Sequence, residues 1–471
     1  MEPAAASPIP TSRARGVLAV MCLGGLAAAL MQTLVIPFQG DLPLLLDTSR
    51  GNASWVVTVT LLAGSVVMPV SGRLSDLYGR RIVLAASAAA MAAGSVVCAL
   101  SDSLTPMLVG RALQGLAMGY IPVAISLVRE LLPPPKVPNA IALISATMGV
   151  GGAIGIPLSA WVAQEHDWHT LFWLSAALGA LVAGATLSVV PHLPRPDASG
   201  LDWVGALGLA IGLSSVLVGV SKGNEWGWTQ PSTLTALLGG LVLLVAWGIH
   251  QFRAEAPLVD LRVNSRPPVL ITNVAAALVG FGMMASSIAL PQLLTLPRAS
   301  GHGLGLSLVE AGLWMTPGGL MMLFLAPVSA RLIGRIGPRL TLAIGSALLG
   351  AGYLVTAFFM SAPWQLTLAA CISMSGVAIA YAAMPTLILI HVPLSGAGAA
   401  VGLNGLMRSV GTTCAGAVMT AVLTSMTMDL GGLALPSREA FVVCFVIAAV
   451  TSLVGAGVAL SIPRHAPATT H

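Results

Sequence analysis

Long apolar runs, separated by short polar or glycine- and proline-rich stretches, repeat along the chain from residue 16 to residue 462. A membrane-spanning helix rises ~1.5 Å per residue and must cross ~30 Å of hydrocarbon, so each crossing needs about 20 mostly apolar residues. Fourteen runs have this length, and we predict helices over residues 16–38, 54–74, 81–100, 106–130, 139–163, 168–190, 201–221, 232–252, 269–296, 306–333, 338–360, 364–390, 399–427 and 439–462.

Two polar connectors divide these helices into three groups. PHLPRPDASG (191–200) interrupts the pattern with three prolines, and FRAEAPLVDLRVNSRPP (252–268) follows the eighth run. The pattern predicts an all-α integral membrane protein with 14 transmembrane helices. Its parts are an N-terminal six-helix bundle (1–190), two inserted helices with their connectors (191–268) and a C-terminal six-helix bundle (269–471).

Composition supports the membrane prediction and removes several functional classes. The chain is 56% hydrophobic and only 8% charged, whereas about 25% of residues are charged in an ordinary soluble domain. The five cysteines lie inside apolar runs without paired or metal-like spacing, so they are interpreted as packing residues. The net charge of +5 resides in short Arg clusters beside apolar runs, which argues against nucleic-acid binding. Zinc-protease, P-loop and nucleophile-elbow motifs are missing, so we predict neither an enzyme nor a cofactor.

The positions of Lys and Arg predict the orientation in the membrane. With the N-terminus inside, 15 of the 21 basic residues lie inside, four lie outside and two, Arg111 and Arg408, lie within spans. Cytoplasmic loops carry an excess of Lys and Arg, so both termini are predicted to be cytoplasmic. Abundant Arg, Ala and Gly are typical of a GC-rich bacterial genome, which suggests a bacterial inner membrane. The four outside residues are Arg50, Lys222, Arg298 and Arg438.

One segment occurs twice. MPVSGRLSDLYGRR (68–81) aligns with LAPVSARLIGRIGPR (325–339) at a shift of 258 residues, but Gly334 stands at the position of Asp76. Two repeated bundles around a site near the bilayer midplane form a layout that allows access to alternate between the two sides. The repeat therefore predicts a transporter.

The sequence resembles the major facilitator superfamily, specifically its 14-span drug:proton antiporter branch, over nearly the whole chain. GRLSDLYGRR (72–81) matches the family's loop signature between spans two and three, and LVGRALQGLAMG (108–119) resembles its span-four signature. NASWVVTVTLL (52–62) resembles the usual entry to span two. LSLVEAGLWMTPGGL (306–320) and GLNGLMRSVGTTCAG (402–416) resemble segments of spans ten and thirteen.

Two positions depart from the pattern of that branch. Met31 stands where members often carry an Asp in span one, and Pro157 is offset from Gly155 in the span-five segment GVGGAIGIPLSAW. Gly151, Gly155 and Pro157 still resemble the antiporter bend. Close helix packing of the GxxxG type and a role in coupling are both open for these three residues.

The resemblance implies a cytoplasmic latch in the loop after span two. Gly72 and Gly79 permit close backbone approach and a tight turn, and Asp76 lies where a helix N-terminus and arginines favour an acid. The alternative is a topology signal, for which basic residues alone would suffice. The latch candidates are Gly72, Arg73, Asp76, Gly79, Arg80 and Arg81.

Arg111 is an embedded charge. An Arg at mid-span costs ~2.5–3.5 kcal/mol, so it usually faces the bundle interior with a partner, although snorkelling toward a span end is the alternative. Asp76 and Arg111 are both missing from the second half, as Gly334 and Ile372, and this predicts one shared charge network. Every Asp and Glu lies at a span end or in a loop. The further candidates for proton coupling are Glu130, Asp202 and His391.

A substrate pocket is expected between the halves. Methionines suit a permissive site because they are flexible and polarizable, although core or lipid-facing positions are the alternative. Asn404 and Arg408, one helical turn apart, orient a substrate or bond to neighbouring helices. HDWH (166–169) lacks further ligands, so no metal site is predicted. The pocket candidates are Met31, Gln32, Asn273, Met283, Met284, Asn404 and Arg408.

Together these features predict a secondary active transporter for proton-coupled efflux of small amphiphilic organic compounds, such as drugs, antibiotics or secondary metabolites. Its partners are the substrate, protons and the lipid bilayer, and it is expected to be a monomer. A facilitator or an exporter of a single anionic metabolite is the alternative, because the embedded charges are Arg rather than acids. A membrane sensor or channel is the third possibility.

Overall fold

The structure, a computed structural model, describes residues 11–193, 200–431 and 433–463. Arg195, Arg464 and most of the connector 191–200 lie outside the described residues. Within the described part the long elements are helices, which confirms the helical membrane fold. An antiparallel hairpin of β1 (Thr427–Leu430) and β2 (Leu433–Pro436) near the last helix was not predicted.

The first-half helices follow the predicted runs closely. A 3-10 turn, Leu116–Gly119, separates the two helices that replace the predicted run 106–130. The helices are α1 (Thr11–Thr33), α2 (Leu42–Leu45), α3 (Arg50–Ala53), α4 (Trp55–Tyr78), α5 (Arg80–Ala99), α6 (Leu104–Gly115), α7 (Tyr120–Leu131), α8 (Val137–Glu165) and α9 (His169–Val189).

The insert and the second half continue the same pattern. Asp202 accepts a hydrogen bond from the Gly205 amide and caps the first inserted helix, as a short acidic side chain favours. The helices are α10 (Trp203–Trp226), α11 (Pro231–Arg253), α12 (Leu261–Asn264), α13 (Pro267–Thr295), α14 (Leu308–Phe358), α15 (Pro363–His391), α16 (Ala397–Ser425) and α17 (Arg438–Leu460).

The count of membrane spans differs from the predicted fourteen. Thirteen helices within the described residues are long and apolar enough to cross a membrane. The difference lies in α14, whose 51 residues cover two predicted spans and include the non-helical Gly337. At ~1.5 Å per residue this helix measures about 76 Å, more than twice a hydrocarbon core of ~30 Å. Its division into two spans at Gly337 therefore stays a prediction.

Gly79 and Gly337 occupy equivalent positions of the repeated segment. Gly79, between α4 and α5, has φ of 91°, and Gly337 has φ of 81°. A side chain is strained at such angles, so glycine is the residue that permits both turns. We call the end of the bundle that carries residues 72–81 the basic face, and the other end the opposite face.

Two large hydrophobic cores occupy the two halves. One is built mainly from residues of α1 to α9, and the other mainly from residues of α13 to α17. A smaller third core surrounds α10, whose Leu209, Leu213 and Leu217 pack against α4 and α16. The inserted helix α10 thus touches both halves, whereas α11 packs chiefly on α10 and is mostly exposed.

Several helix pairs join the halves directly, and two of them make the most extensive contacts. The helix α4 packs against α16, and α8 packs against α14. In the second pair Gly319 lies against Ala153 and the Gly149 carbonyl, so the two backbones come close. Small residues at such seams permit the close packing that holds helices together in lipid.

The packing of α10 predicts a contrast between two matched double substitutions. Replacing Leu213 and Leu217 of α10 with Ala is expected to lower the thermal stability of the purified protein, because buried Leu→Ala changes leave cavities costing roughly 2–5 kcal/mol each. Replacing Leu238 and Leu241 of α11, which are 60% and 55% exposed, is the control. Melting curves that fall equally for both variants would contradict the role of α10 between the halves.

Candidate functional site

A cavity of about 620 Å³ lies between the halves. Its wall contains residues of α1, α4 and α8 from the first half, of α13 to α16 from the second, and of α10. Most of these residues are apolar, and they come from the parts of their helices nearer the opposite face. The cavity therefore extends from the middle of the bundle to the helix ends at that face.

Three of the predicted pocket residues line this cavity. They are Gln32 of α1 and the neighbouring Met283 and Met284 of α13. Gln32 Nε2 donates to the Met118 sulfur at 2.9 Å, and the Tyr381 hydroxyl donates to the Met283 sulfur at 2.8 Å. Two of the polar contacts that hold the wall in place therefore run through methionine side chains.

The other four predicted pocket residues lie outside the cavity wall. Met31 is buried within the first half, and its carbonyl accepts a hydrogen bond from Arg111. Asn404 donates to Asn273 at 3.0 Å and joins α16 to α13. Arg408 lies over the Tyr381 ring, 4.7 Å from its centroid. A role of these four residues in substrate binding stays a prediction.

The halves meet at the basic face, beyond the cavity. A Cβ atom placed on Gly72 of α4 would lie 2.2 Å from the carbonyl carbon of Gly398 in α16, and 2.4 Å from the Ala399 nitrogen. Since no side chain fits there, the two backbones touch. Arg129 Nη1 also donates to the Val392 carbonyl at 3.0 Å, which adds a second link between the halves.

Beside this contact Arg80 bridges two acids. Its guanidinium lies 3.7 Å from Asp76 Oδ1, forms an ion pair with Glu130 and donates to the Ser126 hydroxyl at 3.2 Å. Asp76 is 1% exposed, and its oxygens accept no hydrogen bond among the described residues. The ion pair with Arg80 therefore compensates the buried Asp76 carboxylate, and Glu130 belongs to the same cluster.

The remaining latch candidates contact other parts of the basic face. Arg73 donates to the Gly200 carbonyl at 3.5 Å, next to the start of α10. Arg81 donates to the Leu187 carbonyl at the end of α9. These two residues tie α4 and α5 to neighbouring segments, whereas Asp76 and Arg80 lie beside the seam between the halves.

Arg111 lies in a separate polar cluster. Its guanidinium donates to the carbonyls of Val56 and Met31, each at 3.0 Å, and to Gln114 Oε1 at 2.7 Å. Gln114 in turn donates to Ser95 at 2.8 Å. The side chain is completely buried, so Arg111 holds α1, α4 and α6 together from inside the first half.

The expectation of one network joining Asp76 to Arg111 is wrong. Arg111 binds the carbonyl of Val56 in the first turn of α4, and Asp76 lies in the last turn of that helix. Twenty residues of helix at ~1.5 Å each separate the two sites by about 30 Å. Asp76 and Arg111 are therefore two independent charges, and the second half lacks both. In the first half each of them is compensated by its own neighbours.

Asp202 is a helix cap at the basic face. Its carboxylate accepts from the Gly205 amide at 2.7 Å, from His250 at 3.0 Å and from Gln251 at 2.7 Å. Partial burial raises the pKa of Asp202, but the hydrogen bonds from Gly205, His250 and Gln251 lower that pKa by more, so its pKa is below the ordinary value. These bonds join α10 to α11, and a role in coupling stays a prediction.

The predicted bend in α8 packs against α1. A Cβ on Gly151 would meet Ala29 at 2.6 Å, and one on Gly155 would meet Thr33 at 2.0 Å. Pro157 lies on the other side of α8, near Gly312 of α14. The small residues therefore allow α8 to lie between α1 and the second half.

Two residues of the wall were missed by sequence reasoning. Lys222 and Glu225 line the cavity from the end of α10, although Lys222 was predicted to lie in an outer loop. Lys222 is instead inside the helix and only 2% exposed. The signal in the sequence is the spacing of the two charges, which lie three residues apart and can pair on one helix face.

Comparison with known proteins gives the family. The model described as the Major Facilitator Superfamily matches residues 21–415. An uncharacterized MFS-type transporter of Bacillus subtilis is 26% identical over 70% of this chain and 61% of its own. The tetracenomycin C resistance and export protein of Streptomyces glaucescens is 29% identical over 74% of this chain and 65% of its own. The chain thus spans less than two thirds of either relative.

A proton:xylose symporter structure shares the fold, with a TM-score of 0.68, 12% identity and 97% of both chains covered.

The backbone contact at Gly72 predicts a change in conformational equilibrium. Gly72→Val is expected to push α4 from α16 at a cost of roughly 1–3 kcal/mol, which favours the state open at the basic face by about 5- to 150-fold. Labelling of Ser75→Cys, buried in this seam, by a hydrophilic maleimide should become faster. Gly334→Val is the control, because a Cβ there meets nothing within 4 Å. Equal labelling rates in both backgrounds would contradict a seam that depends on glycine.

The separation of Asp76 from Arg111 predicts independent effects. Asp76→Asn and Arg111→Gln are about 30 Å apart by helix rise, so the changes they cause in unfolding free energy should add within roughly 0.5 kcal/mol in the double variant. Thermal or denaturant unfolding of the three variants and the parent measures this. A coupling free energy well above that limit would restore the shared network.

Proposed function

Because the chain belongs to the Major Facilitator Superfamily, we propose that it is a secondary active transporter that exports small amphiphilic organic compounds from the bacterial cytoplasm. The resemblance seen in the sequence motifs is confirmed for the superfamily, and the 14-span drug:proton antiporter branch remains part of the proposal. A relative named for tetracenomycin C resistance and export supports drugs, antibiotics or secondary metabolites as the substrate class.

The cavity between the halves is the observation that carries this proposal. Its volume of about 620 Å³ falls within the ~300–1,000 Å³ of small-molecule sites. A mostly apolar wall with scattered amides and hydroxyls accepts amphiphilic molecules, and methionines such as Met283 and Met284 adapt to different shapes. The substrate would be released from this cavity on the opposite face.

The proposed cycle alternates between two states of the same two bundles. If the basic face is cytoplasmic, as the Lys and Arg distribution favours, this structure would correspond to the outward-facing state. Residues 1–190 and 269–471 would then move against each other as two bodies, with residues 191–268 between them. Opening to the cytoplasm requires α4 to leave α16 at Gly72 and breaks the Arg129 to Val392 hydrogen bond.

Protons are the proposed source of energy. Protonation of Asp76 would remove one of the two negative partners of Arg80. Glu130 would then be the one acid that still pairs with Arg80. Proton binding at this cluster would therefore weaken the closed basic face, and return of Asp76 to its charged form would strengthen it. In this scheme Asp76 and Glu130 act on the gate, while Arg111 and Asp202 maintain the bundles that move.

A second candidate is an exporter or facilitator of one anionic metabolite, and Arg408 is the observation that favours it. This residue is 8% exposed and faces the Tyr381 ring rather than a carboxylate. It lies one helical turn from Thr412, which lines the cavity. A substrate carboxylate that reached one turn deeper would meet a cation that no acid neutralises among the described residues.

Transport by the parent protein is the decisive test. Expression in a bacterium depleted of its own exporters should raise resistance to part of a panel of amphiphilic antibiotics and dyes. A compound to which resistance rises should then accumulate in everted vesicles, and a protonophore should abolish this accumulation. Gly334→Ala is the matched variant expected to keep activity, whereas Asp76→Asn should lose most of it because the latch loses a charge.

The outcomes separate the candidates. Uptake of an anionic panel member that persists with a protonophore and is lost in Arg408→Gln supports the second candidate instead. If neither resistance nor counterflow in proteoliposomes changes for any compound, the transporter proposal fails.

A further inference from the structure

The cavity wall contains one charged pair. Among the residues that line it, only Lys222 and Glu225 carry a charge, and both belong to the inserted helix α10 rather than to either six-helix half. They lie near the end of α10 at the opposite face. Every other lining residue is apolar or a neutral polar group, so this pair determines the charge that an entering molecule meets.

Lys222 is held on all sides. Its ammonium donates to the Gly51 carbonyl at 3.0 Å, to the Ser54 hydroxyl and to Glu225 Oε2 at 2.8 Å. It also lies 5.0 Å from the centre of the Trp55 ring. An ammonium group has three donors, so these contacts occupy all of them and leave none for a ligand.

Glu225 is the accessible partner. Lys222 contacts its Oε2, and 45% of the side chain remains exposed, against 3% for Lys222. Its Oε1 lies beside Gly51, where a Cβ would come within 2.3 Å of it. Within the described residues Oε1 accepts no hydrogen bond, so it is available to a ligand in the cavity.

The surroundings turn this pair into a dipole with its negative end toward the cavity. The positive charge of Lys222 is compensated from behind by a carbonyl, a hydroxyl and the face of an aromatic ring. The carboxylate of Glu225 has no such compensation on its cavity side. Because the wall is mostly apolar, the field of that carboxylate is screened less than in water.

The residue before Glu225 ties this turn of α10 to the second half. Asn224 Nδ2 donates to the Ala417 carbonyl of α16 at 2.9 Å, and Trp228 Nε1 donates to Asn224 Oδ1 at 2.9 Å. Lys222 reaches Gly51 and Ser54 of the first half. Glu225 is therefore fixed at the point where α10 joins both halves at the cavity mouth.

We propose that Glu225 is the recognition site for the positive charge of a lipophilic organic cation, with Lys222 as its positioning residue. The inserted helices then form part of the substrate site. This inference rests on the proposed transport function and narrows its substrate class. At this pair an anion would need a free donor from Lys222, and the three contacts of that ammonium leave none.

Two probes of nearly equal shape and opposite charge test the inference. Tetraphenylphosphonium is a cation and tetraphenylborate an anion, and calorimetry on the purified full-length protein measures the binding of each. Glu225→Gln is expected to weaken phosphonium binding about tenfold or more, because it removes the carboxylate charge. Glu225→Asp keeps the charge and should retain the preference for the cation. Glu165→Gln, at an exposed position that ends α8 outside the cavity wall, is the matched control and should behave like the parent.

The results decide between this inference and its failure. A loss of cation affinity in Glu225→Gln alone, with a native melting temperature, supports it. Equal binding of both probes by the parent, tighter binding of tetraphenylborate, or no saturable phosphonium binding would each overturn it. Such a failure is distinct from failure of the transport proposal, because resistance conferred in cells is measured without either probe.

Discussion

The contact between the backbones of α4 and α16 at Gly72 and Gly398 is the constraint on which the rest of the arrangement depends. Two bundles that touch closely at the basic face and splay apart beyond it leave a cavity on the other side. Packed interfaces have a few discrete arrangements rather than a continuous range. Where Gly72 meets Gly398 no side chain lies between the backbones to absorb a small displacement, so the bundles either meet there or part.

Buried charges follow a second rule, which is compensation by immediate neighbours. Arg111 uses carbonyl oxygens and an amide, Arg80 uses two carboxylates, and Lys222 uses a carbonyl, a hydroxyl, a carboxylate and a ring. Each cluster serves a different contact: Arg111 joins α1, α4 and α6, Arg80 joins α4, α5 and α7, and Lys222 joins the insert to the first half. The cost of an isolated charge in a low-dielectric interior explains why each remains close to its own partners.

Hydropathy alone predicted most of the helices, because the bilayer requires long apolar runs whatever their neighbours are. The latch segment could also be predicted from the sequence, since Gly79 and its repeat Gly337 mark turns that only require glycine at one position. Tertiary placement was not visible. Asp76 was placed in the loop after the second predicted helix and Arg111 in the fourth, and only the structure shows that Arg111 contacts the end of α4 opposite to Asp76. Lys222 was placed outside because the predicted helix ended at residue 221, and its partners Gly51 and Ser54 are distant in sequence.

The lipid exposure of α11 has a mechanical consequence. Its 23 residues measure about 34 Å at ~1.5 Å per residue, close to the thickness of the bilayer core, and it packs chiefly on α10. A helix with so little protein around it adjusts its tilt when acyl chains become longer or shorter, since hydrophobic mismatch is relieved in that way. Because α11 packs chiefly on α10, and Glu225 lies in the last turn of α10, a change of membrane thickness would reach the mouth of the cavity through the insert.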